Sequence, residues 1–370
     1  MGRRLRVLGG GRMQAFVIAA KRTAVMPRGG AFRALSLEDL AAPVLRALLE
    51  AAGIAADQVD EVVLSNVLGP GGNPARRVAL AAGLPERVAG LSIDRQCAGG
   101  LDAVLIARGM VMAGLAEVVV AGGVESYSQR PERRMPGAAA AYDEAPFTPW
   151  PDRDPGMAEA AAALALRLGI SRERQDGWTV ESHRKARAAD LSGEIVGIGG
   201  AVRDGFTRDL TPALAARAKV VAGSVTAANA AVAADGAALV LVVSERVAAR
   251  AARALRIAGG VTLGGVPWEP GLAPVAAIGQ VLGAAGLRPG GLDRAEVMEA
   301  YALQAIACVE GAGLDPARVN LGGGALARGH PVGASGAVLA VRLFSDLGRG
   351  VGLAAIAAAG GIGSALLLEG

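Results

Sequence analysis

The chain of 370 residues has few aromatic residues, few cysteines and few histidines. Aromatic residues make up 3% of the sequence, and cysteine and histidine occur twice each. Cys97 and Cys308 lie far apart and in no metal-binding spacing, which excludes a disulfide framework and favours a reducing, cytoplasmic compartment. With only two histidines in the chain, we expect no structural zinc site.

Long apolar runs and concentrated charge are also absent from the sequence. Every apolar stretch is interrupted by glycine or charge before it reaches membrane length, so we expect no membrane span. The basic leader Met1–Arg6 is not followed by an apolar run, so no signal peptide is predicted. The net charge is +4, but the basic residues are scattered and not interleaved with aromatics. This pattern predicts no nucleic-acid partner and suits an anionic substrate, such as a nucleotide-bearing thioester.

Strand and helix patterns alternate along most of the chain. An apolar strand is predicted at 16–20, a helix begins after Ser36, and a buried strand follows at 118–121. Such alternation predicts the α/β class, with a mainly parallel sheet covered on both faces. Between about 126 and 220, prolines cluster and a polar helix is capped by Ser171, which indicates an inserted region.

The two halves of the sequence repeat one pattern. In the first half, Cys97 precedes a glycine-rich helix start and then an apolar strand that ends in Gly122-Gly123. In the second half, His330 precedes a similar helix start and a strand that ends in Gly360-Gly361. If the halves pack about a pseudo-dyad, Cys97 and His330 converge from opposite sides.

Cys97 is a candidate nucleophile. It lies where a strand gives way to a helix that begins Gly99-Gly100. The dipole and free N–H groups of a helix N-terminus favour thiolate, and the glycines let a bulky thioester approach the backbone. The alternative, an inert buried cysteine, is the interpretation we give to Cys308, which lies in an apolar helix.

His330 is the candidate base. It lies between Gly329 and Pro331, and imidazole is the side chain best suited to deprotonate a thiol near neutral pH. The other histidine, His183, lies on a polar helix, where we expect a solvated face rather than a catalytic role.

Several segments resemble motifs of the thiolase family. They are 94–101 around Cys97, 122–128 at the following strand end, 320–336 around His330, and 171–176 and 225–229 in and after the insertion. The resemblance runs in order from about Met13 to Gly370. It implies the thiolase fold, in which two similar βαβαβαββ-type halves pack as layered α/β sheets around an inserted loop domain.

The resemblance also implies domain boundaries. The N-terminal half would span 13–127 and be completed by 220–256. The loop domain would span 128–219, and the C-terminal half 257–370. The family forms dimers and tetramers, so we expect a homodimer or homotetramer.

The family reaction is a ping-pong Claisen condensation or its reverse. The resemblance implies that Cys97, activated by His330, takes the acyl group from a first thioester. A second catalytic cysteine then deprotonates a second acyl-CoA, whose carbanion attacks the acyl-enzyme. Backbone N–H groups of Cys97, Ala359 and Gly360 would hold one oxyanion, and the histidine with an asparagine-held water would hold the other. Coenzyme A enters as substrate and product, and no further cofactor is expected.

Two catalytic positions of the family are altered in this sequence. Ala357 stands where the second cysteine is expected, and Met298 replaces the asparagine of the Asn-Glu-Ala-Phe motif. Alanine cannot move a proton, and methionine is at best a weak acceptor. A general acid–base group is worth ~10²–10⁴-fold in rate and an oxyanion donor ~10²–10³-fold. We therefore expect acyl transfer onto Cys97 to survive and the condensation step to be impaired or altered.

Further departures mark candidate substrate-binding positions. Tyr127 stands where the family commonly has methionine, and Met157 lies in a segment that lacks the usual threonine. Ala231 replaces a serine that normally approaches the pantetheine, and Tyr301 ends the altered motif. These four residues are predicted to line the binding site for the acyl-CoA substrate.

The predicted function is an acyl-CoA acyltransferase of the acetyl-CoA C-acetyltransferase type. One alternative is a non-condensing acyl-CoA-binding or acyl-relay subunit of a larger complex, although pure binding would need neither Cys97 nor His330. The other alternative is an acyl-CoA hydrolase, which needs only water at the acyl-enzyme.

Overall fold

The strands form one large sheet and two small ones. The structure is a computed structural model that describes residues 13–370, so the leader for which no signal peptide is predicted lies outside the described residues. The strands are β1 (Ala15–Thr23), β2 (Met26–Pro27), β3 (Glu61–Ser65), β4 (Ala89–Ile93), β5 (Val118–Glu125), β6 (Arg133–Arg134), β7 (Ala141–Tyr142), β8 (Ile195–Val196), β9 (Val220–Ala222), β10 (Val225–Thr226), β11 (Ala234–Ser244), β12 (Leu255–Gly264), β13 (Arg294–Val297), β14 (Val351–Ala358) and β15 (Ile362–Glu369).

The helices begin and end at local sequence signals. They are α1 (Leu37–Ala52), α2 (Pro74–Ala81), α3 (Gly99–Met112), α4 (Met157–Leu168), α5 (Arg172–Ala188), α6 (Pro212–Ala216), α7 (Glu245–Ala248), α8 (Ala273–Ala284), α9 (Ala302–Gly311), α10 (Ala325–Arg328) and α11 (Val332–Asp346). Ser36 caps α1 in a reciprocal capping box with Asp39, and Gly53 ends that helix in the left-handed region. Ser171 caps α5, as the sequence predicts. No helix in residues 13–370 is long and apolar enough to span a membrane.

The large sheet has the strand order β13-β14-β15-β12-β1-β11-β5-β3-β4. Its outer pairs are parallel, but β14–β15, β12–β15, β1–β12, β1–β11 and β5–β11 are antiparallel. The expectation of a mainly parallel sheet is therefore wrong. Two parallel strands that are consecutive in sequence need a crossover connection that passes over one face of the sheet. The β14–β15 pair turns back directly, the insertion lies between β5 and β11, and the halves join edge to edge through β1 and β12.

Three layers of helices pack against the two halves of this sheet, one between the halves and one on the far face of each. Helices α3 and α11 form the central layer and share one apolar core with strands of both halves. Helices α1 and α2 cover the opposite face of the first half, and α8 and α9 cover that of the second. Alternate residues of β5 enter different cores: Val119 faces the central helices, and Val118 and Val120 face α1 and α2. The layered α/β architecture is thus confirmed, and the exact domain boundaries stay a prediction.

Candidate active site

Cys97 and His330 meet where the two halves pack together. Cys97 follows β4 in a 3₁₀ turn that leads into α3, and His330 precedes α11. The Sγ atom of Cys97 lies 3.2 Å from Nε2 of His330. Because α3 and α11 lie together in the central layer, the residues just ahead of them converge. The structure thus brings together the two side chains that the sequence repeat predicts to converge.

The backbone just ahead of Cys97 is in an uncommon conformation. Gln96 has a φ of 51°, in the left-handed region that few non-glycine residues occupy. Its N–H donates to Oδ1 of Asp94 over 2.9 Å, which holds the turn. The turn redirects the chain between β4 and α3 and leaves Cys97 facing the space between the halves. Backbone strain of this kind is concentrated at functional sites.

The imidazole of His330 is oriented by Ser335, one turn into α11. Nδ1 of His330 lies 2.6 Å from Oγ of Ser335, and that hydroxyl donates its proton to the carbonyl of Pro331 over 3.1 Å. In the tautomer that carries its proton on Nδ1, Nδ1 donates to this hydroxyl, which in turn donates to the carbonyl of Pro331. That tautomer leaves Nε2 facing Cys97 as an unprotonated acceptor, the form that a base needs.

Burial favours the neutral form of both reactive groups. Burial raises the pKa of the Cys97 thiol to about 12, and the nearby backbone N–H groups oppose this only in part. Burial also lowers the pKa of the His330 imidazole to about 4. Burial thus opposes the thiolate that the helix N-terminus is expected to favour, while the N–H groups beside the sulfur act in the expected direction.

Backbone N–H groups surround the thiol. Those of Cys97 and Ala359 both hydrogen-bond to Sγ of Cys97 and lower its pKa against the effect of burial. Ala359 lies in the connection between β14 and β15, and the next residue, Gly360, has a φ of 76° that favours glycine. The predicted donors Cys97 and Ala359 are thus beside the sulfur on which an acyl group would be held.

Two pockets meet at Cys97. The inner pocket runs between α4, α9 and the end of β14 and is lined by Cys97, Met157, Ala160, Ala161, Leu164, Pro270, Gly271, Ala300, Tyr301, Leu303, Gln304, Ala357, Ala358 and Ala359. The outer cleft contains Cys97 and His330 together with three arginines, Arg28, Arg130 and Arg133. The four predicted substrate-binding residues all line this cleft, namely Tyr127, Met157, Ala231 and Tyr301.

The two altered catalytic positions have different surroundings. Ala357 lines the inner pocket together with Cys97, so a longer side chain there would share the space beside the thiol. Met298 is 1% exposed and lies in the central core, outside the described lining of both pockets. The change at Met298 therefore adds apolar packing, whereas the change at Ala357 leaves open space next to Cys97.

Glu125 is a buried acid at the site that sequence reasoning did not single out. Its carboxylate accepts from the N–H groups of Val67 and Gly333, over 3.1 and 3.0 Å, and from Nδ2 of Asn66 over 2.9 Å. It thereby ties the loop after β3 to the first turn of α11, close to His330. Burial raises its pKa to about 7, against the effect of these N–H groups. An acid at the end of an otherwise apolar strand is the sequence signal that marks it.

The remaining cysteine and histidine are both buried away from this site. Cys308 lies in the core beside α8, as predicted. The expectation for His183 is wrong, because its side chain is fully buried and not on a solvated face. Its Nδ1 accepts from the N–H of Arg208 over 3.3 Å, and its ring packs against Phe206. The segment 206–208 covers this face of α5, a contact that the helix pattern alone does not reveal.

A thiol beside an imidazole, at the junction of two similar α/β halves, is the arrangement of a thiolase-type acyltransferase. Residues 15–246 match the model of the thiolase N-terminal domain, and residues 251–370 match that of the thiolase C-terminal domain. The chain belongs to the thiolase family, as its motifs predict.

Named relatives agree with this assignment. YhfS of Bacillus subtilis (strain 168), provisionally named an acetyl-CoA C-acetyltransferase, is 41% identical over 96% of this chain and 99% of its own. VraB of Staphylococcus aureus (strain MRSA252), provisionally named for the same activity, is 35% identical over 96% of this chain and 98% of its own. A crystal structure of the Bacillus anthracis acetyl-CoA acetyltransferase superimposes with a TM-score of 0.90 at 34% identity, covering 97% of this chain and 99% of that one. The predicted family and the acyltransferase class are confirmed.

Proposed function

We propose that this chain transfers acyl groups between CoA thioesters and carries them on Cys97. The observation that supports this most directly is the 3.2 Å contact between the Cys97 thiol and Nε2 of His330. In acylation, the thiol proton moves to Nε2 as the sulfur attacks the thioester carbonyl carbon. The C–S bond to coenzyme A then breaks, and the departing sulfur takes the proton back from His330.

The oxyanion of the tetrahedral intermediate would accept from the backbone N–H groups of Cys97 and Ala359, with Gly360 shaping the turn behind them. These groups lie beside Sγ, so they would be close to an oxygen on the carbon bonded to it. Fixed donors of this kind need no rearrangement during the reaction, which is why they stabilise the developing charge.

The condensation half of the reaction has no equivalent proton carrier at position 357. Ala357 lies in the pocket of Cys97 but cannot deprotonate the α-carbon of a second acyl-CoA. Tyr127 and Tyr301 line the cleft, yet burial raises the pKa of both phenols further above neutral, so neither is a base there. We propose that the acyl-enzyme forms readily and that carbon–carbon bond formation is slow. Because acylation alone is enough for an acyl-relay role, that role is the second candidate function.

The cleft would hold the acyl-CoA, with Met157, Ala231, Tyr127 and Tyr301 around the pantetheine and the acyl group. Coenzyme A would be the only small molecule needed beyond the acyl groups. We further propose a homodimer or homotetramer that works in the cytoplasm.

The test is acylation of the purified protein by [¹⁴C]acetyl-CoA, followed by peptide mapping. We expect the label on the peptide that contains Cys97 and no labelling of the Cys97→Ala variant. In the His330→Ala variant, the rate of labelling should be at least about 100-fold lower. Cys308→Ala is the matched control and should label normally, because that thiol is buried in a separate core.

Labelling elsewhere, or none, would overturn the proposal. The same reaction separates the alternatives, since steady release of acetate together with free coenzyme A would show that water is the acceptor. That outcome would support the hydrolase instead.

A further inference from the structure

Asp102 is a buried acid to which the proposed mechanism gives no role. It lies in the first turn of α3, the helix that follows Cys97, and its side chain is 2% exposed. Burying a carboxylate costs free energy unless its oxygens are paired. Burial accordingly raises the pKa of Asp102, and its hydrogen-bond and charge partners oppose that shift. These partners come from two separate parts of the chain.

One oxygen of Asp102 is held by two strands of the C-terminal half. Its Oδ1 accepts from Oγ1 of Thr262 on β12 and from Oγ of Ser364 on β15, both over 2.7 Å. Thr262 and Ser364 are directly opposite each other in the antiparallel pair, and their hydroxyl oxygens lie 3.0 Å apart. A single carboxylate oxygen thus joins the start of α3 to two neighbouring strands of the other half.

The other oxygen of Asp102 is paired with the segment just ahead of Cys97. Nη1 of Arg95 lies 3.0 Å from Oδ2 of Asp102. Arg95 immediately precedes Gln96, the residue with the left-handed φ of 51°. The ion pair therefore spans the turn that carries Cys97. A backbone in a sparsely populated conformation persists only where its surroundings fix it, and this ion pair is one such constraint.

The strands that bind Asp102 also position one of the two N–H groups beside the sulfur. Ser364 of β15 pairs with Ile356 of β14, and β14 ends directly ahead of Ala359. The N–H groups of Ala359 and Cys97 both hydrogen-bond to Sγ of Cys97. Because these two donors come from different halves, their separation depends on how the Cys97 turn lies against the β14–β15 hairpin. Asp102 contacts both sides of that junction.

We propose that Asp102 is a positioning residue for acyl transfer, whose carboxylate holds the Cys97 turn, through Arg95, against the strands that lead to Ala359. Asp102 lies outside the lining of both pockets, so it would not contact the substrate. It acts by keeping the two N–H donors in place for the oxyanion that forms on the acyl carbon. A small misplacement of such groups slows the chemical step and leaves substrate binding unchanged. This inference rests on the proposed acylation of Cys97.

The experiment measures single-turnover acylation of Cys97 by acetyl-CoA, with mass spectrometry of the intact protein. Asp102→Asn should lower the rate constant at saturation about tenfold or more and change the half-saturating concentration by less than about twofold. Glu194→Gln is the matched control, because it alters another buried carboxylate paired with an arginine, outside the lining of both pockets. It should lose stability and keep the rate constant. An equal loss of rate in both variants would overturn the proposal, by showing that destabilisation alone slows acylation.

Variants of the partners test each side of the link, and they decide the question even where Asp102→Asn does not fold. Thr262→Val removes a hydroxyl at nearly constant shape and should slow acylation at least about threefold, whereas Thr262→Ser keeps the hydroxyl and should keep the rate. Arg95→Gln changes a half-exposed side chain. Its loss of rate should combine with that of Asp102→Asn to less than their product, because both remove one ion pair. Unchanged rates in Thr262→Val and Arg95→Gln, or equal losses in Thr262→Val and Thr262→Ser, would overturn the proposal.

A measurement without coenzyme A keeps this inference separate from the proposed function. With p-nitrophenyl acetate, the acetyl group moves to Sγ of Cys97, the ester C–O bond breaks and p-nitrophenolate leaves. The reaction passes through an oxyanion on the same sulfur, and the Cys97→Ala variant gives the background. If acetyl-CoA does not label Cys97, the acylation proposal fails, and the same variants read with this ester decide the role of Asp102 by itself. Equal ester rates in wild type, Asp102→Asn and Thr262→Val would overturn that role.

Discussion

Gly100 in α3 and Gly336 in α11 lie at the contact between the helices that follow Cys97 and His330. A methyl group on Gly100 would lie 2.6 Å from the amide nitrogen of Ala337, and one on Gly336 would lie 2.9 Å from Cβ of Leu101. Both glycines therefore let the two helix backbones approach closely. This close approach determines how near Cys97 comes to His330.

Gly336→Ala should reduce both the stability of the protein and the acylation rate of Cys97. The added methyl pushes α11 away from α3, and overpacking of this kind costs about 1–3 kcal/mol. Chemical denaturation and acetyl-CoA labelling measure the two effects. Gly109→Ala is the control on α3, because a methyl there meets nothing within 4 Å. That control should be neutral or slightly stabilising. Equal behaviour of the two variants would contradict the role given to the close contact.

The pH dependence of Cys97 alkylation should distinguish a neutral pair from a preformed ion pair. With the thiol pKa raised to about 12 and the imidazole pKa lowered to about 4, alkylation by iodoacetamide should rise about tenfold per pH unit between pH 7 and 10. Acyl transfer, which needs neutral His330, should persist in acid and fall only near pH 4. A plateau of alkylation beginning near pH 7 would show that the thiolate is already formed. The measurement is made in the Cys308→Ala variant, so that alkylation of the other thiol does not contribute to the signal.

Local signals in the sequence predicted much of the fold. Ser36 and Ser171 cap helices where predicted, because a cap depends only on a few neighbouring residues. The antiparallel pairing of β5 with β11 could not be predicted in this way. The pairing depends on how the chain returns to the sheet after more than a hundred residues. The residue pattern of a strand does not show in which direction the strand will run beside its neighbour.

The site shows the same division between local and long-range information. The motifs located Cys97 and His330, but the pKa of each depends on its burial in the packed structure. The burial of His183 was equally out of reach, since the segment that covers it is evident only once α5 is packed. Local sequence therefore identified the reactive groups, and the packing determined their chemistry.

A buried ionic cluster should make the fold sensitive to acid. Arg22 donates to Glu194 over 2.7 Å and to Asp204 over 2.6 Å, and all three side chains are buried. Burial by itself would raise the pKa of Glu194, but Arg22 and Arg342 outweigh it and lower that pKa, and Asp204 behaves likewise. A carboxyl group with a lowered folded-state pKa stabilises the protein above its unfolded pKa. That stability is lost as the pH falls through the folded pKa.

Glu194→Gln should therefore cost up to about 3–5 kcal/mol of unfolding free energy at pH 7, because it removes one of the two carboxylates that the buried Arg22 contacts. Urea denaturation between pH 7 and about 3 measures this, and the difference from wild type should shrink only as the pH falls below the ordinary carboxyl pKa of 4.5. Glu310→Gln is the control, since its pair with Arg174 is exposed and worth at most about 1 kcal/mol. A similar small loss in both variants would show that the cluster does not stabilise the fold.

Ala357→Cys should restore part of the condensation reaction. The position lines the inner pocket with Cys97, so a thiol there would lie beside an acyl group on that residue. A general acid–base group contributes ~10²–10⁴-fold, and we expect thiolysis of acetoacetyl-CoA to rise by about 100-fold or more while acylation of Cys97 changes little. Ala357→Ser is the matched control, because it adds a side chain of similar shape whose proton is far less acidic. The gain should also vanish when Cys97→Ala is combined with Ala357→Cys.

If acylation stays intact and thiolysis does not rise, the missing thiol is not what limits carbon–carbon bond chemistry in this site. Rapid thiolysis by the wild-type protein would show that another group already moves that proton.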